Sequence, residues 1–67
     1  MRIYKQTEIF NLSEGLLIYT AGNNYYVVSH MGDGKTSVIY LVTASERRAK
    51  NEAARVRKHS PNAAIAA

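Results

Sequence analysis

The chain has 67 residues and is basic, with nine Lys and Arg against five Asp and Glu, a net charge of +4 and a pI of about 9.7. At this size one core is only marginally stabilising, so a single domain is expected that depends on good packing or self-association. The lack of cysteine excludes a disulfide framework and a cysteine-based zinc site, and the longest aliphatic and aromatic run, Val38 to Val42, is too short to span a membrane.

The opening MRIYKQTE lacks the apolar run of a signal peptide, so a cytoplasmic protein is expected. Arg2 to Leu12 mixes Ile3, Tyr4, Ile9 and Phe10 with polar residues and suits a first strand. Ser13-Glu14-Gly15 then reads as a turn, and the β-branched and aromatic Leu16 to Ala21 as a second strand. A two-residue turn follows at Gly22-Asn23 or Asn23-Asn24, residue types that tolerate positive φ. Tyr25 to Met31 is a third strand and Thr36 to Val42 a fourth, joined by Asp33-Gly34 in an expected type I′ hairpin turn.

That hairpin predicts a register of His30 opposite Ser37, Val28 opposite Ile39, Val27 opposite Tyr40 and Tyr26 opposite Leu41. Alternation then places Leu17, Tyr19, Tyr26, Val28, Ile39 and Leu41 on one face. The other face receives Leu16, Ile18, Tyr25, Val27, Val38, Tyr40 and Val42. Both faces are apolar, as in sheets covered on two sides, but one helix can cover only one of them. A homodimer is therefore expected, with Tyr25, Val27, Val38, Tyr40 and Val42 as the candidate interface.

Thr43 to Pro61 reads as the one helix, rich in Ala, Arg, Lys and Glu. Thr43-x-x-Glu46 is a capping pattern, with Ser45 a competing N-cap, and Pro61 is the stop. Ala49, Ala53 and Val56 form a narrow apolar stripe that should sit on the sheet. Arg47, Arg48, Lys50, Arg55, Arg57 and Lys58 sweep the remaining arc, against Glu46 and Glu52. This segment carries the chain's entire net charge. Asn62 to Ala67, expected to be a frayed tail, resembles the C-terminal Ala-Ala tag read by bacterial proteases, with Ile65 where that tag usually has leucine. The expected architecture is a single α+β domain over 1–61: a small antiparallel β-meander of three to four strands, then one C-terminal basic amphipathic helix.

The chemistry of an enzyme is poorly provided for. Gly34-Lys35-Thr36 ends like a phosphate-binding loop, but Ser29 stands where that loop needs glycine, and a strand follows where it needs a helix. His30, Ser37 and Asp33 gather at a hairpin tip, where His30 reads as an edge residue without a pocket or oxyanion hole. His59 complements the helix dipole, and two distant histidines make a poor metal set. No catalytic residue, metal or cofactor is expected. Tyr4, Tyr19, Tyr25, Tyr26 and Tyr40 suit core or rim positions, with a base-stacking platform as the lesser reading. The six cations instead indicate DNA, RNA or a nucleic-acid-processing complex as partner. The alternative is a small inhibitor or adaptor of the kind phages and mobile elements encode, using the basic helix or an exposed apolar sheet face against a protein.

Overall fold

A computed structural model of the protein describes residues 1–32 and 36–59. The expected Asp33-Gly34 turn, the stop at Pro61 and the tail 62–67 lie outside them. The element order is β1 (Ile3–Lys5), a 3₁₀ segment (Gln6–Asn11), β2 (Gly15–Ala21), β3 (Asn24–His30), β4 (Val38–Thr43) and α1 (Glu46–His59). The four strands form one sheet in the order β1-β2-β3-β4. The fold is α+β, and the sheet is mixed: β2, β3 and β4 are antiparallel neighbours, while β1 runs parallel to β2.

The N-terminal segment departs from the single strand expected over Arg2 to Leu12. Directly after β1 the Glu8 carboxylate reaches back and accepts from the Lys5 amide at 2.7 Å, closing a turn that an extended chain could not make. In the 3₁₀ segment, positions three apart lie on one side. Ile9 and Leu12 therefore come down together on the sheet, while Phe10 is left 70% exposed. The segment also serves as the crossover that a parallel β1–β2 pair requires.

The β2–β3 turn is Gly22-Asn23, since Ala21 pairs with Asn24. Gly22 has φ +60, a conformation for the first loop residue that glycine adopts without strain. The β3–β4 register agrees with expectation only near its loop, where Val28 pairs with Ile39 and Ser29 with Val38. A bulge between Val27 and Val28 then shifts the pairing, so Val27 meets Leu41, Tyr26 meets Val42 and Tyr25 meets Thr43. Because a one-residue slip moves every following side chain to the other face, Leu41 changes sides and packs beneath the helix. Val42 changes in the opposite sense and joins the face of Tyr26.

Two cores result. On one face Leu16, Ile18 and Val27 pack with Ala49, Ala53 and Val56, flanked by Ile3, Tyr25 and Leu41. On the other, Leu17 and Val28 pack with Tyr4, Ile9, Leu12, Tyr19 and Tyr26. The face left by the helix is thus partly covered from within, by the 3₁₀ segment. The expected interface changes accordingly: Val27 is 0% exposed under α1, and Tyr25 packs at the edge of the same core. Val38, Tyr40 and Val42 stay exposed, and Ile39, paired with Val28 on the other face, is exposed as well.

Candidate functional site

The candidate site is the outer arc of α1. Its start is set by Ser45, whose Oγ accepts from the Arg48 amide at 3.2 Å, the position a helix N-cap satisfies. The cap is thus Ser45 and the Thr43–Glu46 box is not formed. The Thr43 hydroxyl instead accepts from the Ser45 amide at 3.1 Å, and the Glu46 carboxylate turns to Lys50 and the Tyr25 hydroxyl. Ser45→Ala is expected to cost about 1 kcal/mol, read as a lower urea midpoint with an unchanged slope. An unaltered midpoint would show that the cap is dispensable.

Ala49, Ala53 and Val56 are buried at 0%, 1% and 6% exposure. Two methyl groups and a valine let the helix lie close on Leu16, Ile18 and Val27. At 3.6 residues per turn, this seat fixes where the cations go. Arg47 and Lys58 stand opposite the sheet. Lys50 and Arg57 share one flank, and Arg48 and Arg55 share the other. All six are exposed. Lys50 and Arg57 also border a shallow cleft of about 140 Å³, together with Met1, Ala53 and Ala54.

The two acids divide the cations into two kinds. Glu46 pairs with Lys50 at 3.0 Å, four residues on, in the favourable acid-first orientation. Glu52 takes Arg55, with the guanidinium Nε donating at 3.0 Å. Among the described residues, Arg47, Arg48, Arg57 and Lys58 have no acidic partner. The i,i+4 and i,i+3 spacings of these acids and bases are visible in the sequence. Which of its two arginine neighbours, Arg48 or Arg55, Glu52 would choose is not.

The hydrogen bond and charge of Lys50, then the Tyr25 hydroxyl, hold Glu46 below the ordinary carboxylate range. The hydrogen bond from Arg55 does the same for Glu52 and raises Arg55 in return. Carboxylates depressed in the folded state contribute stability above their unfolded pKa of about 4.3 and lose it as pH falls through the folded value. The melting temperature should therefore decline as pH is lowered from about 5 to 3. A Glu46→Gln/Glu52→Gln variant should show a shallower decline, a small effect because both groups are exposed. Identical pH profiles would assign the decline to other groups.

The remaining candidates lie elsewhere. His30 is 7% exposed inside β3 rather than at an edge. Its Nδ1 lies 3.4 Å from Ser37 Oγ, and its Nε2 meets no partner among the described residues. Asp33 lies outside those residues. Three tyrosines form a cross-strand row on the face away from α1, Tyr4 beside Tyr19 beside Tyr26, and the row ends at Val42. Tyr19 and Tyr26 stack on each other at 4.9 Å and 3°, so each covers a ring face of the other. Burial, followed by the neighbouring Tyr26, raises the Tyr19 pKa. The Arg2 guanidinium sits over Tyr4 at 4.7 Å. Among the described residues no helix is long and apolar enough to cross a membrane. No protein-family model matches the chain, and neither a curated protein nor a solved structure matches it.

Proposed function

We propose that this is a non-enzymatic binding protein that lays the outer arc of α1 on the phosphates of DNA or RNA, alone or within a nucleoprotein machine. The reading needs no cofactor. One observation carries it: the helix turns its apolar stripe wholly into the sheet and leaves four cations, Arg47, Arg48, Arg57 and Lys58, without an acidic partner among the described residues. Such an arc attracts polyanions and gains from the counterions they release. Phosphate contacts position a protein without carrying sequence information, so an arc that engages the backbone should show weak sequence preference.

The test is a salt titration of binding to mixed-sequence DNA and RNA, followed by fluorescence anisotropy. Engagement of three or four phosphates on duplex DNA gives a log–log slope of about −2.7 to −3.6. No binding to either nucleic acid at about 50 mM salt would remove this reading. An acidic protein surface would then be the partner of the same arc, as an inhibitor or adaptor requires.

A further inference from the structure

We infer that β4 is the dimerisation element, and that it pairs antiparallel with β4 of a second copy to make one continuous eight-stranded sheet. The two edges of the sheet differ. β1 is only three residues long, carries the exposed Lys5 and passes at once into the 3₁₀ segment; brevity and charge both blunt an edge against pairing. β4 is six residues, VIYLVT, without a charge or a proline, and its outer side has no neighbouring strand among the described residues. Side chains on both of its faces are open: Val38 is 54% exposed, Ile39 53%, Tyr40 43% and Val42 44%. An uncharged, β-branched, two-sided apolar edge is a template for strand addition.

Charge and symmetry favour a second copy as the occupant. The β4 strands carry no charge, so the strand contact itself brings no like charges together. Adjacent antiparallel strands are related by a two-fold axis normal to the sheet, which keeps both helices on the same face. Each helix contacts β2, β3 and β4 and so lies near β3. The two axes would stand roughly three strand spacings, or about 14 Å, apart. Exposed cations on the facing flanks would come closer than the axes, so the two helices repel at low salt and the pairing should tighten as salt shortens the Debye length to about 8 Å and below. The interface closes on itself, and the blunted β1 edges give a dimer rather than a fibre. A consequence that rests on the nucleic-acid reading is a doubled basic surface on one face, with a shallow channel between the helices.

Sedimentation of the full chain without nucleic acid tests the pairing independently of the ridge. A small interface of one strand pair predicts a dissociation constant on the order of 10–100 µM. V38K/I39K places lysines at exposed edge positions, leaves the cores untouched and should weaken dimerisation about 100-fold or more. Should that variant unfold, hydrogen exchange of the native chain is decisive. Amide protection over 38–43 should rise as concentration passes through the dissociation constant. A native chain that stays monomeric to about 500 µM, a dimer indifferent to the lysines, protection over 38–43 independent of concentration, or open-ended oligomers would each overturn the inference.

Discussion

Val56→Asp is expected to remove a large part of the protein's stability. Val56 is 6% exposed and sits in the core that joins α1 to Leu16, Ile18 and Val27. A carboxylate there can reach water only by lifting the last turns of the helix off the sheet. It would also lie near the negative end of the helix dipole. Stranding an unpaired charge in such a site costs about 3–5 kcal/mol. A chain of this size has a total stability of about 3–10 kcal/mol, so one substitution can consume most of it. Arg47→Ser, on the far side of the same helix, should stay within about 0.5 kcal/mol of the native protein. Urea melts of the two variants give the comparison. If both melted like the native chain, α1 would not be seated on its sheet.

Charge reversal at the two positions facing away from the sheet, Arg47→Glu with Lys58→Glu, is expected to remove nucleic-acid binding while leaving the fold intact. It takes the helix from +4 to neutral. With a salt slope of about −0.9 per contact, each phosphate contact is worth roughly 15-fold in affinity at about 50 mM salt. Two lost contacts then amount to about 200-fold, before any repulsion by the new carboxylates, and the slope should fall by about 1.8. Arg55→Glu is the informative companion, because Arg55 already shares its charge with Glu52; its effect should be smaller than that of Arg48→Glu on the same flank. Undiminished binding by the double variant would move the contact off the helix. A loss concentrated in one arginine and insensitive to salt would mark a protein partner.

Much of the architecture is legible in local pattern. Ala49, Ala53 and Val56 recur at helical spacing and are the buried residues of α1. Gly22-Asn23 supplies the positive φ that its turn requires. The near-continuous apolar run through β2 belongs to a strand buried on both sides, with Leu16, Leu17 and Ile18 each at 1% exposure or less. Local pattern misleads where a side chain reaches back along the chain. Glu8, bonded to the Lys5 amide, turns an apparent strand into β1 plus a 3₁₀ crossover; of the two helix caps the sequence offers, Thr43 and Ser45, the structure uses Ser45.

Composition and periodicity alone determine the class of the fold, the seat of the helix and the concentration of all excess charge on one arc of it. These depend on residue type and spacing within a single element, which the sequence states directly. The tertiary structure decides which sheet face the helix takes, what covers the other face and which strand edge stays open. A bulge opposite Val27 and Val28 moves Leu41 under α1 and Val42 away from it, and the 3₁₀ segment brings Ile9 and Leu12 onto Leu17 and Val28. Both faces read as equally apolar in sequence, so the choice between them falls to long-range packing, where a one-residue shift in pairing exchanges inside for outside.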